Sequence, residues 1–153
     1  MFESLFMWKE SNFMKTGFCA VVGTVGGVIA SALGGFDSLL IALVVFMEID
    51  YISGLIVAGI FHKSKKSEGG GLESWAGFKG LLKKGMCLFF IVIAVQLDNV
   101  IGTQFIRDGV IVAFISNELI SIIENAGIMG VPIPAVIKKA IDILNKKGEN
   151  GDR

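Results

Sequence analysis

Four long apolar stretches, separated by polar segments, dominate the pattern of hydrophobic and polar positions. The clearest is Ser38–Phe61, which reads SLLIALVVFMEIDYISGLIVAGIF. As an α-helix it would measure about 36 Å at ~1.5 Å per residue, enough to cross a hydrocarbon core of roughly 30 Å. The other predicted spans are 17–33, 86–106 and 109–129. The pattern therefore predicts an all-α membrane protein with three to four transmembrane helices and additional amphipathic helices.

Two features leave the number of spans open. Residues 30–32 (ASA) have the small-x-small form of a signal-peptidase site, although no basic region precedes the apolar stretch. Residues 109–129 are the most polar of the four stretches, so a surface-lying amphipathic helix is the alternative there. Cleavage at residues 30–32 would remove the first span, but the remainder would still be a membrane protein. For the uncleaved chain, we expect 17–130 to form the transmembrane domain.

The segments outside the spans have distinct compositions. Residues 1–16 place aromatic side chains among charges, which is typical of an interfacial segment. Residues 131–153 begin with two prolines and continue as an amphipathic helix and a polar tail. A tight turn is predicted at 107–109. Residues 62–85 are rich in lysine, so the positive-inside rule predicts a cytoplasmic loop, with a short in-plane helix near 72–82. Its lysines are expected at lipid head groups: Lys63, Lys65, Lys66, Lys79, Lys83 and Lys84.

Small residues recur at a spacing of four in two of the spans. Gly23 and Gly27 lie in the first span, and Gly54 and Ala58 in the second. Because lipid tails are as apolar as the helices, association in a membrane depends on close backbone packing, which small residues permit. We therefore expect these four positions at helix contacts.

Ionisable and amide side chains interrupt the apolar spans. Glu48 and Asp50 lie at the middle of the second span, and residues two apart on a helix point about 200° away from each other. A charge at bilayer depth is costly and usually faces a bundle interior, another subunit or water. The spans contain no Lys or Arg to pair with the acids. The predicted intramembrane or oligomer-interface residues are Glu48, Asp50, Gln96, Asp98, Asn117, Glu118, Ser121 and Glu124.

Composition narrows the function. The chain is 53% hydrophobic and only 18% charged, and its formal net charge is zero, so no basic field favours a nucleic-acid partner. No phosphate-binding loop or nucleophile motif is present, and the chain has a single histidine. The two cysteines lack any ligand spacing. The sequence therefore predicts no enzyme, no cofactor and no metal site.

Several motifs in a fixed order resemble one family. They are DYISG at 50–54, SWAGFKGLLKK at 74–84, LD at 97–98, NELISIIEN at 117–125, and GVPIP at 130–134 followed by KK at 138–139. Together they look like the phage-lysis and toxin-secretion holins of Gram-positive bacteria and their phages. The resemblance covers about 38–144 and omits the N-terminal quarter.

The resemblance implies a homo-oligomer in the bacterial cytoplasmic membrane. Such a protein would cross the bilayer several times and open large lesions that let an endolysin or a toxin pass. It also implies inhibition by a separate antiholin or by a short form, and Met7 and Met14 are candidate internal starts for the latter.

Two other classes fit the same pattern of acids. A small ion-channel or transporter subunit would use midplane carboxylates to bind protons or cations, without lysing the cell. A structural membrane scaffold would oligomerise without opening. Release of a cytoplasmic cell-wall hydrolase distinguishes the holin from both.

Overall fold

The computed structural model of the chain describes residues 2–64, 69 and 71–150, with side chains described for 15–64, 69, 71–141 and 143. Within that part the chain is helical and contains no strand. The prediction of an all-α protein is therefore confirmed. The helices are α1 (Phe2–Ala32), α2 (Ser38–Ile56), α3 (Ser74–Ile101), α4 (Phe105–Ile128) and α5 (Ala135–Asn150), and a π-helical segment, Val57–Phe61, extends α2.

Three helical stretches are long and apolar enough to cross a membrane. They are Lys15–Ala32, Ser38–Phe61 and Ser74–Ile101. The second has the bounds that the hydrophobic pattern predicts. The predicted fourth span, 109–129, falls mostly within α4, and its placement in a membrane stays a prediction.

The N-terminal unit, residues 1–35, contains the single helix α1. Its backbone is continuous from Phe2 to Ala32, so the predicted interfacial segment and first span share one helix. Gly23 and Gly27 are exposed, and a Cβ atom at either would have no neighbour within 4 Å. Their predicted packing role stays a prediction about other copies of the chain. The candidate starts, Met7 and Met14, lie where side chains are not described.

Helix α2 begins with a side-chain cap and buries one face. The Asp37 carboxylate accepts a hydrogen bond from the Leu40 amide at 2.9 Å, which satisfies one of the free donors at the helix start. The buried residues then recur at a spacing of three or four: Leu40, Leu43, Met47, Asp50 and Ser53. This is the spacing of one helix face, so Asp50 lies on the face that packs against the bundle.

Helix α3 begins inside the predicted cytoplasmic loop, 62–85. The predicted in-plane helix and third span form one helix that starts at Ser74, which corrects the loop boundary. Gly85 lies at the expected boundary, but a single interior glycine costs only about 1 kcal/mol relative to alanine and does not end the helix. Consequently Lys79, Lys83 and Lys84 lie on the first turns of a helix long enough to span.

The turn between α3 and α4 is at 102–104, and the prediction of a turn at 107–109 is wrong. Gly102 adopts φ 76°, a left-handed conformation that favours glycine. Its amide and that of Thr103 both donate to the Asp98 carbonyl, at 2.8 and 3.0 Å. Helix α3 therefore stops at Ile101, and Arg107 lies in the first turn of α4.

Within the unit 36–150, α4 packs against α2, α3 and α5. Side-chain contacts near Asp37 and Arg107 at one end, and Ser53 and Asn125 further along, show that α2 and α4 run parallel. Helix α3 runs antiparallel to both. The fully buried side chains between these helices are Leu40, Leu43, Val57, Ile91 and Ile111.

The small residues of α2 and the C-terminal helix complete the bundle. A Cβ atom at Gly54 would lie 3.8 Å from Asn125 Nδ2, so this glycine faces α4. Ala58 is buried. Helix α5 follows the predicted proline elbow and contributes Ile141 to the buried set, while Val136 and Ile143 are exposed.

Candidate functional site

A lysine joins the two carboxylates that the α2 and α4 patterns single out. Lys84 Nζ on α3 donates to Asp50 Oδ2 at 2.9 Å and to Glu118 Oε2 at 2.5 Å. The three side chains are only 13%, 7% and 12% exposed, respectively. One cation thus holds two carboxylates from different helices. We call Asp50, Lys84 and Glu118 the charged triad.

Neutral donors complete the coordination of Asp50. Ser121 Oγ donates to Asp50 Oδ1 at 2.5 Å, and Asn125 Nδ2 lies 3.3 Å from the same oxygen. Asn125 Nδ2 also lies 2.9 Å from Ser53 Oγ, which in turn donates to the Asp50 carbonyl. Buried polar groups require hydrogen-bond partners, and this network supplies them to the Asp50 carboxylate.

The charged triad corrects the expectation that the acids lack a cation. Lys84 was predicted at the lipid head groups, but its stem lets the ammonium reach inward to Asp50. A buried charge with a partner and hydrogen bonds is tolerated, whereas an isolated one is not. The structure therefore satisfies Asp50 and Glu118 within a single chain.

The predicted polar residues divide into three groups. Asp50, Glu118 and Ser121 meet at the triad. Asp98 is buried but lies at the other end of the bundle, where it caps α4. The remaining four are exposed: Glu48, Gln96, Asn117 and Glu124.

The predicted head-group lysines also divide. Lys63, Lys79 and Lys83 are exposed, and Lys79 Nζ lies 5.3 Å from the centre of the Trp75 ring, a cation–π contact. Trp75 stacks on Phe78 at 5.8 Å. Lys65 and Lys66 lie outside the described residues.

A cavity of about 450 Å³ opens beside the triad. Its walls come from α2, α3 and α4 and from residues that precede α3. The backbone approaches closely where side chains are small, as at Gly54 and Gly77, and a Cβ atom at Gly77 would lie 3.5 Å from the Tyr51 hydroxyl. Asp50, Lys84 and Glu118 all line this cavity. The charged triad therefore lies beside open space.

A second polar cluster stabilises the opposite end of the bundle. The Asp98 carboxylate accepts from Thr103 Oγ1 at 2.6 Å and from the amides of Ile106 and Arg107 at 3.1 and 2.8 Å. Free amides at a helix start favour a negative charge. Asp98 therefore caps α4 from the last turn of α3. This structural role explains a carboxylate at this position without a pore.

Arg107 links the start of α4 to the start of α2. Its Nη1 lies 2.6 Å from Asp37 Oδ2 and 3.1 Å from Asp108 Oδ1. The Arg107 hydrogen bond lowers the pKa of Asp37 below its ordinary value of 3.8, against a smaller opposing effect of burial. The two short turns of this end are thereby held together by charge.

Acid should weaken this end of the bundle. Because the pKa of Asp37 is lower in the folded state than in the unfolded state, its contribution to stability is complete above about pH 4 and is lost as pH falls through the folded pKa. We expect thermal unfolding in detergent micelles to be independent of Asp37 titration near neutral pH. An Asp37→Asn variant should show a smaller loss of stability between about pH 4 and pH 2 than the parent chain. Parallel acid curves for both proteins would contradict this assignment.

Some residues of the site were not predicted from the sequence. Ser53 and Asn125 each lie one turn from a predicted residue, Asp50 and Ser121 respectively, so their helix faces already indicated them. Arg107 was assigned to the predicted turn at 107–109. Lys84 carried no local signal, because its partners are 34 positions away in each direction.

Together, the apolar helices and the buried charged triad define a small α-helical membrane protein with a polar centre. The model of the bacteriophage holin family matches residues 27–146. This match covers most of the chain, including all of α2, α3 and α4. The chain therefore belongs to the bacteriophage holin family.

Several relatives match over most of their length. The chain is 40% identical to the uncharacterized protein Lmo0128 of Listeria monocytogenes, over 84% of this chain and 87% of that one. It is 37% identical to an uncharacterized 14.9 kDa protein in the nagH 3′ region of Clostridium perfringens, over 89% and 96%. It is 30% identical to the uncharacterized protein YtkC of Bacillus subtilis, over 90% and 96%. No solved structure matches.

Proposed function

We propose that this protein is a holin that accumulates in the bacterial cytoplasmic membrane, oligomerises and opens large non-selective lesions. An endolysin or a toxin would leave the cell through these lesions. The observation that carries the proposal is the family match over residues 27–146. Three helical stretches long enough to span the bilayer support it.

The charged triad gives the proposal a physical mechanism. In the closed bundle, Lys84 pairs with both Asp50 and Glu118, and the pairing replaces part of the hydration that these groups lose. If the helices separate in a dense assembly, the same groups can be hydrated and form part of a wet wall. The cavity beside the triad is where water would first reach it. In this mechanism the triad stabilises the closed state. When the helices separate, hydration of the same three side chains offsets the loss of their pairing.

This mechanism assigns different roles to the acids that the sequence groups together. Asp50 and Glu118 pair within one chain, and Asp98 caps α4. Glu48 alone among these four carboxylates faces outward. Of these four carboxylates, Glu48 is therefore the one that we expect to pair with another copy of the chain.

Orientation follows from the distribution of lysine. With Lys63 and Lys79 facing the cytoplasm, the turn at 102–104 lies on the outer side. An antiholin or a short form of the chain would act by entering the oligomer without completing it. The lipid bilayer is thus one partner and further copies of the chain are the other.

The proposal is tested by expressing the protein together with a cytoplasmic cell-wall hydrolase that has no export signal. A holin should release the hydrolase and lyse the culture abruptly after a delay. Cells producing the hydrolase alone are the control. Ion flux without hydrolase release would replace the proposal with a channel or transporter, and abundant oligomers without flux or release would replace it with a scaffold.

Weakening the triad should advance lysis. In Glu118→Gln, Lys84 keeps Asp50 but loses its charged partner on α4, so α3 and α4 should separate more easily. We expect lysis to begin earlier after induction at equal membrane abundance. The comparison variant is Glu124→Gln, which removes a carboxylate outside the triad from the same helix. Equal onset for parent, Glu118→Gln and Glu124→Gln would remove the triad from the mechanism.

A further inference from the structure

Glu48 is an exposed carboxylate on an apolar helix face. Val44, Val45 and Ile52, which lie one turn away on the same face, are also exposed. Within the described part of the chain, Glu48 has no hydrogen bond or ion pair. Lipid tails suit the apolar neighbours of Glu48 but leave its charge unsolvated. An occupant of this face that carries a positive group would pair with that charge.

Lys83 has the complementary position on α3. It is exposed at the edge of the cavity beside the triad, and among the described residues it too lacks a hydrogen bond or ion pair. The exposed side chains of Met86, Phe90 and Ile93 continue the same helix face. This α3 face is thus apolar along its length and begins with a cation.

The charged triad fixes the relative heights of the two groups. Asp50 and Lys84 are in contact at 2.9 Å, so their positions on the antiparallel helices α2 and α3 correspond. Glu48 lies two residues from Asp50, and Lys83 lies one residue from Lys84. At ~1.5 Å per residue, both are within about one helical turn of the same level. Two copies inserted in the same orientation would present Glu48 and Lys83 at matching depth.

We propose that the exposed α2 face of one copy packs against the exposed α3 face of the next, with Glu48 paired to Lys83 across the interface. The proposal rests on the proposed function, since it names the contact through which a holin would oligomerise. The two faces differ, so the interface is heterologous and repeats from copy to copy as a ring or an open row. A second copy is the occupant because it supplies apolar surface and the missing charge together.

Cysteine cross-linking tests the contact directly. On a Cys19→Ala, Cys87→Ala background, membranes are prepared from cells that make two differently tagged chains, Glu48→Cys and Lys83→Cys. A short bis-maleimide should link the two tags into a mixed dimer, and a chain carrying both cysteines should give a ladder. Mixed dimers absent at full membrane abundance, or cross-linking equally strong within each single-cysteine chain, would overturn the proposal.

Charge reversal tests the pairing itself without relying on one variant. Glu48→Lys and Lys83→Glu should each reduce native oligomers, measured by amine-reactive cross-linking elsewhere on the chain, by at least about tenfold, because like charges then meet. The double reversal, Glu48→Lys with Lys83→Glu, should restore them. Lys139→Glu on α5 is the matched control. A double reversal no better than either single one would overturn the pairing.

The outcomes separate this interface from the lesion. A cross-linked ladder in cells that never release the hydrolase would support the interface and overturn the lesion. Hydrolase release together with a negative cross-linking result would support the lesion and overturn this interface.

Discussion

Replacing Lys84 by methionine should destabilise the bundle of α2, α3 and α4 by about 3–5 kcal/mol, the usual cost of removing one partner from a buried ion pair. The substitution leaves Asp50 and Glu118 without their shared cation at the packed interface of these helices. Methionine is only one atom shorter than lysine and keeps its unbranched apolar stem, so lost packing accounts for little of such a loss. Thermal or denaturant unfolding in detergent micelles provides the measurement.

Two further variants test whether the loss of stability is specific to the charged triad. Lys83→Met removes an exposed lysine one position earlier and should change stability by less than about 1 kcal/mol. Adding Asp50→Asn and Glu118→Gln to Lys84→Met should recover much of the loss, because a neutral polar cluster no longer requires a cation. If Lys84→Met is as stable as Lys83→Met, the charged triad does not contribute to the fold.

Asp98→Ala should open the first turn of α4. The substitution removes the acceptor for the Thr103 hydroxyl and for the amides of Ile106 and Arg107. These three donors are then left without a partner. We expect hydrogen exchange at the two amides to accelerate by about tenfold to a hundredfold, with a lower melting temperature for the whole bundle. Amide-resolved exchange in detergent micelles measures both.

The neighbouring Asn99 provides the control for this prediction. It is exposed on the same turn of α3, so Asn99→Ala should leave exchange at Ile106 and Arg107 unchanged. Asp98→Asn keeps one carbonyl acceptor and should fall between the alanine variant and the parent. Slow exchange at both amides in Asp98→Ala would show that Asp98 does not cap α4.

The hydrophobic pattern was sufficient to predict the helices but not where all of them end. Ser38–Phe61 was predicted with its bounds because an apolar stretch of that length admits one interpretation. The turn after α3 was misplaced because RDG at 107–109 resembles a turn. The turn forms at 102–104 instead. There the Asp98 carbonyl accepts hydrogen bonds from Gly102 and Thr103, and the Asp98 carboxylate caps the start of α4. Such contacts depend on the fold and are not visible in composition.

The candidate site was predicted in part for a similar reason. A carboxylate within an apolar span is conspicuous, so Asp50 and Glu118 could be named from the sequence. Lys84 was assigned to the membrane surface because it lies in the lysine-rich segment 62–85, which the positive-inside rule predicts to be cytoplasmic. Only the packing of α3 against α4 places its ammonium between the two acids. Partners distant in sequence require the tertiary structure.

The charged triad also changes the interpretation of Glu48. Sequence alone gives Glu48 and Asp50 equal standing, as acids on opposite sides of one helix. In the folded chain, Asp50 is fully coordinated and Glu48 faces outward. Asp50 thus belongs to the interior of one copy, and we assign Glu48 to the proposed contact between copies, although the two carboxylates are only two residues apart.

Reconstitution of the purified protein into lipid vesicles tests the central claim most directly. Vesicles are loaded with a small dye and a folded cell-wall hydrolase, and the protein-to-lipid ratio is raised stepwise. The account predicts no release at low density and then joint release of dye and hydrolase above a threshold ratio. Release of the dye alone at every density, or retention of both, would contradict it.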